Sequence, residues 1–311
     1  MRKYIAKRLL ISVATLLVIL LILFLLLNLM PGSPFNSPKL STEQKAALLR
    51  EYGLDRPVLV RYFLYLKNML RGDFGVSYSL SPNTPITTLL RNRLPVSLMM
   101  GFCSMVVGSI AGLALGFFAA FRKGKAADVM CTVVAVLGVS IPSYLFAIAL
   151  SYGLGFRAKL LPLIYDFRHP VLSGIMPVLS CSVIVMAVVA QFTRDEAAEV
   201  LESDYVEFAR SQGIGGKDLF FGYVFRNSMM PVLTVMTMLL VGLLSGSMVT
   251  EDIFSVPGIG SLLNDAISQN DYNVVIALSF IYAVIYLLAR LLLDVLYGIL
   301  DPRVRITDTD E

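Results

Sequence analysis

Six stretches of about twenty mostly apolar residues divide this chain, at roughly 9–29, 96–121, 128–156, 173–193, 228–250 and 273–298. Each is long enough to cross a bilayer as an α-helix, the form that satisfies its own backbone groups in hydrocarbon. The expectation is an all-α membrane protein with six transmembrane helices. A chain that is 57% apolar and 15% charged, with mean hydropathy +0.75, lies outside the range of soluble domains. The first stretch follows Arg2, Lys3, Lys7 and Arg8, as a signal peptide would. Its apolar run is too long for a cleaved segment and leads into Met30-Pro31-Gly32 rather than a small-residue cleavage site, so a retained helix is expected.

Orientation follows from Lys and Arg in the short connections. The N-terminus carries four, 122–127 three, 194–227 four, and the tail Arg303 and Arg305; 251–272 carries none. The three in 157–172 count the other way, and the nine in 30–94 sit in a segment long enough to escape the rule. Both termini and the 194–227 loop are expected in the cytoplasm.

That loop is the most distinctive polar feature. It holds eleven charged residues in thirty-four positions, while Ser173–Thr193 and Ser228–Thr250 on either side hold none. Tyr205, Ala209 and Gly213 recur every fourth residue, which places them on one helical face. Ala and Gly would leave that face flat for another protein's approach, with Gly213 as a helix stop and Lys217–Arg226 starting a second helix. Glu207 is expected to tie the two helices by accepting from turn amides or from a cation. The alternative is a solvated acidic loop.

Residues 30–94 form the sizeable region on the far side. Ser41–Tyr52 and Pro57–Leu70 have helical apolar spacing, with Gly53 and Gly72 as stops. Such helices lie on the membrane, cover a pore mouth, meet a soluble partner, or simply pack as a cap. Gly108, Gly112 and Gly116 form a stripe that admits a close helix neighbour. Around Pro142, Ser140-Ile-Pro-Ser143 breaks a helical ladder, either as a plain kink or at a translocation path. Arg290 and Asp294, one turn apart, read as an intramembrane ion pair before a proton relay.

Several chemistries have no text here. Gly213-Ile-Gly215-Gly216-Lys217-Asp218 lacks the leading Gly of a P-loop and ends in Asp where magnesium needs Ser or Thr. His169, the single histidine, lies in a short outer loop beside Asp166 with no Gly-x-Ser-x-Gly text to serve. Cys103, Cys131 and Cys181 fall in apolar stretches as small hydrophobes. No catalytic residue, cofactor, metal site or disulfide is expected, and no basic stripe with interleaved aromatics suggests nucleic acid. An intramembrane protease is poorly supported. A self-sufficient secondary transporter would want paired broken helices, and only Pro142 offers one.

Glu207-x-Ala209-x-x-x-Gly213 resembles the cytoplasmic loop signature of type I ABC importer permeases, Glu-Ala-Ala followed by Gly. The whole chain is similar to the B-type permease subunit of the peptide/nickel importer family. The likeness includes Arg8-Leu9, Pro31-Gly32-Ser33-Pro34, Tyr52-Gly53-Leu54-Asp55-Arg56-Pro57, Gly72-Asp73-Phe74-Gly75 and Arg93-Leu94-Pro95. It continues through Asp204-Tyr205, Ala209-Arg210, Arg226-Asn227, Pro231, Glu251-Asp-Ile253-Phe254-Ser255-Val-Pro257-Gly258-Ile-Gly260, Asp271-Tyr272 and Leu300-Asp301-Pro302-Arg303. Phe208 departs from the signature's second Ala, the expected Leu-Pro falls on Phe225-Arg226 with the proline at Pro231, and the 157–172 loop is short.

The resemblance implies a type I importer permease fold: an N-terminal membrane helix (1–30), an extracytoplasmic helical region (31–94), a five-helix transmembrane domain (95–301) carrying coupling loop 194–227, and a cytoplasmic tail (302–311). It implies half of a pore in a prokaryotic inner or plasma membrane, completed by a second homologous permease. Two ATPase subunits would bind ATP and magnesium below, and an extracytoplasmic binding protein would deliver cargo, with membrane lipid around. Tyr205, Glu207, Ala209, Arg210, Gly213 and Lys217 would meet the ATPases. Peptide is the first cargo, nickel or a metal–chelator complex the second.

Overall fold

The computed structural model describes residues 2–29, 50, 55–244 and 247–300. Among the described residues the regular secondary structure is helical, with one isolated antiparallel bridge between Val76 and Pro85. The helices are α1 (Arg2–Leu29), α2 (Val58–Met69), α3 (Ile86–Ala120), α4 (Ala126–Ser140), α5 (Ser143–Leu150), α6 (Pro170–Leu201), α7 (Asp204–Ser211), α8 (Gly216–Leu219), α9 (Arg226–Leu244), α10 (Met248–Ile253), α11 (Ile259–Ser268) and α12 (Tyr272–Leu300). Short π-helical turns extend α5 over Ser151–Arg157 and join α8 to α9 over Phe220–Phe225. The helix expected at Ser41–Tyr52 and the tail 302–311 lie outside the described residues.

Four described spans are long and apolar enough to cross a membrane: Ile86–Ala120, Pro170–Leu201, Gly216–Leu244 and Tyr272–Ala289. A fifth arises if α4 and extended α5 count together, although they bend by 97° at their junction. The described apolar stretch of α1 is the shorter Val13–Leu26. The bend has a local cause. Pro142 lacks an N–H and disfavours helical geometry at the residue before it, and Ile141 is accordingly extended at φ −86°, ψ 122°.

The chain forms two compact units. The first joins Met1–Pro95 with Gly258–Leu288. Leu20 and Phe24 of α1, Tyr62 and Met69 of α2, Ile259 and Leu262 of α11, and Val274 and Leu278 of α12 form its core. The Tyr62 hydroxyl donates to the Leu17 carbonyl at 2.8 Å, so this phenol is buried without losing its bond. The unit's polar anchor is Asp271, fully buried at the start of α12. One of its oxygens, Oδ2, accepts from the Ser77 hydroxyl at 2.5 Å and from the backbone amides of Tyr78, Ser79 and Leu80 at 3.0–3.1 Å. Consecutive amides turned on one carboxylate make a nest that offsets the cost of burying its charge.

The second unit joins Val96–Pro257 with Ala289–Glu311 and is organised around α6. The α3 glycine stripe faces α6 across a very short gap. A Cβ at Gly112 would stand 2.8 Å from both the Met186 carbonyl oxygen and Val189 Cβ, and one at Gly116 would stand 2.6 Å from the Ala190 oxygen. The stripe is therefore a packing seam, as small residues are between membrane helices. On α4, a Cβ at Gly138 would meet Ala187 Cβ at 2.6 Å, so α6 is gripped from a second side.

Candidate functional site

The charged loop folds as a braced helical hairpin. Ser203 is extended and its carbonyl accepts from the amides of Val206 and Glu207 at 3.0 and 3.1 Å, which starts α7. Gly213 ends it with φ +81°, the left-handed conformation that favours glycine. The Ile214 amide reaches back to the Ala209 carbonyl at 3.1 Å and the Gly213 amide to that of Arg210 at 2.9 Å. This is the paired Schellman arrangement. Its apolar partner is present as well, because Ile214 packs on buried Val206, Ala209 and Leu219 with Val200 and Tyr223.

This packing corrects one expectation. Ala209 is 2% exposed and faces the hairpin's interior, so it is not part of a flat outer face with Tyr205 and Gly213. The reason is Val206: apolar residues three apart share a helical face, and the more apolar pair turned inward. Tyr205, Glu207, Arg210, Gly213 and Lys217 are all exposed. Glu207 also differs from expectation, since its carboxylate takes no hydrogen bond or ion pair among the described residues; the turn is closed by backbone alone. Phe208, which the sequence marked only as a departure, is 63% exposed between these charges. An exposed phenyl ring on a helix closed by its own backbone turn is the most anchor-like feature of the loop.

Around the hairpin base, two ion pairs tie α4 and the α3–α4 turn to α6. Arg194 donates to Asp128 through both Nε (2.7 Å) and a terminal nitrogen (2.9 Å), and the same carboxylate accepts from the Gly124 amide. Lys123 pairs with Glu202, the residue that follows α6. Phe117, Phe220 and Phe225 form an aromatic cluster under α8, with Phe117 and Phe220 edge-on at 5.1 Å. The hairpin is thus packed on α3, α6 and α9 of its own unit, and α6 is tied in turn to α4 through Arg194 and Asp128.

The remaining predicted residues lie elsewhere. Ser140 and Pro142 are exposed at the bend, and Ser143 is half-buried with its carbonyl accepting from the Ser180 hydroxyl at 3.1 Å. Arg290 and Asp294 lie one turn apart on α12, but their side chains are outside those described. A polar cluster escaped the sequence reading: buried Glu251 of α10 accepts from the Ser97 hydroxyl at 2.6 Å beside a cavity of about 20 Å³ lined also by Ser104, Ser247 and Thr250. That volume suits one water.

Comparison with known proteins gives a consistent result. Residues 112–306 match the family described as "Binding-protein-dependent transport system inner membrane component", and residues 1–101 its N-terminal membrane component. The chain is 39% identical over 306 residues to the dipeptide transport system permease protein DppB of Lactococcus lactis, covering 98% of this chain and 100% of that protein. It is 35% identical over 307 residues to DppB of Bacillus subtilis, covering 98% and 99%. Among solved structures, an amino acid ABC transporter crystallised with histidines aligns with TM-score 0.54 at 16% identity, over 68% of this chain and 93% of that one, a likeness of fold.

Proposed function

This chain belongs to the family of binding-protein-dependent transport system inner membrane components, and on that premise we propose that it is the permease subunit of an ATP-driven importer of peptides. The observation that carries the reading is likeness over 98% of the chain to permeases named for dipeptides. Those names favour peptide over nickel or a metal–chelator cargo. ATP hydrolysis belongs to partner subunits, consistent with a chain that carries no P-loop text.

In this reading the chain supplies half of a translocation pore. A second homologous permease completes it, two cytoplasmic ATPase subunits bind beneath, and an extracytoplasmic binding protein delivers cargo. Both termini and the α7–α8 hairpin face the cytoplasm, and residues 31–94 lie outside. The ATPases can bias the pore only through contacts that differ between its two states. The hairpin suits that task because its apolar interior and its Schellman turn keep it rigid. Glu207, Arg210, Tyr205 and Lys217 are free to meet another protein, and Phe208 stands out between them. Force on the hairpin passes to α6 and α9 directly and to α4 through Arg194 and Asp128. The Pro142 bend then lets the two halves of that segment move separately.

Affinity purification from membranes tests the assembly. Two P-loop ATPases and a second permease should co-purify with the tagged chain, and vesicles holding all of them should concentrate labelled dipeptide in an ATP-dependent manner. Nickel uptake without dipeptide uptake would overturn the cargo assignment. Uphill transport by the chain alone would overturn the whole reading.

A further inference from the structure

The connection between α5 and α6 presents a second exposed surface, of a different character. Along extended α5, Tyr144, Ile148, Tyr152 and Phe156 recur every fourth residue and all are exposed, while Ala147 and Gly155 are buried against the unit. The Tyr152 and Phe156 rings stack at 5.9 Å. The stripe continues through Leu160, Ile164 and Phe167 to Val171 at the start of α6, which are 69, 62, 68 and 81% exposed.

This segment is held in place. The Leu160 amide donates to the Leu154 carbonyl at 2.9 Å, and the Tyr165 amide to the Phe254 carbonyl at 2.8 Å. Asp166 accepts from the Arg168 amide at 2.9 Å, and its own amide donates to the Ser173 hydroxyl at 3.0 Å. With the backbone so engaged, the large side chains are fixed outward. Among them stand Arg157, Lys159 and Arg168, all exposed and none in an ion pair among the described residues.

We propose that residues 144–172 lie in the membrane–water boundary, with the apolar stripe against acyl chains and Arg157, Lys159 and Arg168 on the phosphates of anionic lipid headgroups. Three considerations favour lipid as the occupant. Aromatic and aliphatic side chains mixed with long cations are the composition of the interfacial belt, where charged heads reach phosphate while their stems stay in apolar surroundings. Three unpaired cations complement anionic phosphate in charge. The 97° bend at Pro142 turns α5 out of line with α4, so that α5 and the segment after it need not run with α4 through the hydrocarbon. A protein that docks and leaves in each cycle is a poorer fit, since transient protein interfaces are no more apolar than ordinary surface. The inference needs only that the chain is embedded in a bilayer, and holds whichever cargo it carries.

The chain contains no tryptophan, so a single substitution gives a clean optical reporter. The full chain carrying Phe167→Trp is placed in liposomes of phosphatidylcholine with phosphatidylglycerol, with Phe208→Trp in the charged hairpin as the aqueous counterpart. Brominated lipid should quench the first at least threefold more than the second, and iodide should do the reverse. Brominated phosphatidylglycerol should quench Phe167→Trp at least twofold better than brominated phosphatidylcholine. That preference should vanish when Arg157→Gln, Lys159→Gln and Arg168→Gln are added. Ile164→Trp serves as a second reporter should Phe167→Trp misfold. The proposal is overturned if iodide reaches position 167 as freely as 208, if the two lipids quench alike, or if the triple change alters nothing. Shielding that develops only on adding a binding protein would equally overturn it.

Discussion

The two ends of α6 lead into connections that invite comparison. Both are ordered by backbone hydrogen bonds, and each displays an exposed phenylalanine, Phe167 at 68% and Phe208 at 63%. Their neighbours differ. Phe208 lies on a helix with exposed Asp204, Glu207 and Arg210, whereas Phe167 packs edge-on to Tyr165 in a segment that also exposes Leu160, Ile164 and Val171. On the two proposals made above, the same side chain answers to different surroundings: among charges it serves as an anchor for a protein pocket, and among aliphatics it faces lipid. Exposure acquires meaning only once the local solvent is known.

The sharpest way to break the contrast is to destroy one connection and spare the other. Val206→Asp puts an unpaired carboxylate into the hairpin's closed interior, where the effective penalty is several kcal/mol. ATP-driven peptide uptake should fall below a tenth of the parent level, while membrane insertion, read by fractionation, persists because the spanning helices are untouched. Gly213→Val is the next largest. Nothing lies within 4 Å of a Cβ there, so the damage comes from backbone alone, about 1–2 kcal/mol for a left-handed residue. Uptake should drop several-fold, and Gly213→Asn should recover most of it because Asn tolerates that conformation.

Smaller effects sharpen the comparison. Asp128→Asn leaves Arg194 without its charged partner, and bonds to charged groups contribute about 1.5–3 kcal/mol each. Arg194 remains partly solvated, so thermal unfolding in detergent should come a few degrees lower and uptake should fall moderately. Glu207→Gln should change stability by no more than about 0.5 kcal/mol, as for an exposed residue with no internal partner. Its effect should appear only in the assembled importer, as weaker stimulation of ATP hydrolysis by cargo-loaded binding protein. An unfolding shift without that functional change would place Glu207 in the hairpin's own structure.

What the sequence disclosed was local in origin. The apolar stretches, the Gly108–Gly112–Gly116 seam, the break at Pro142 and the stop at Gly213 each depend on residue type and spacing along one segment. Ala209 was misplaced because a four-residue period was followed while its nearer apolar partner, Val206, was passed over. Asp271 was legible only as part of a motif. Its partners at 77–80 lie some 190 residues away, and a carboxylate bound by backbone amides leaves no side-chain pattern to find. Ser97 and Glu251 are separated in the same way, by 154 positions. The apolar segment after Pro142 read as one span with α4, since hydropathy counts residues and is blind to a 97° turn.

The central claim is that the α7–α8 hairpin is where the ATPases take hold, and photo-crosslinking from position 208 tests it most directly. With p-benzoylphenylalanine at Phe208 in the assembled importer, illumination should join the chain to an ATPase subunit, with a yield that changes between nucleotide-free and ATP-bound states. Crosslinking to the binding protein, or to lipid with the ATPases bound, would contradict the account.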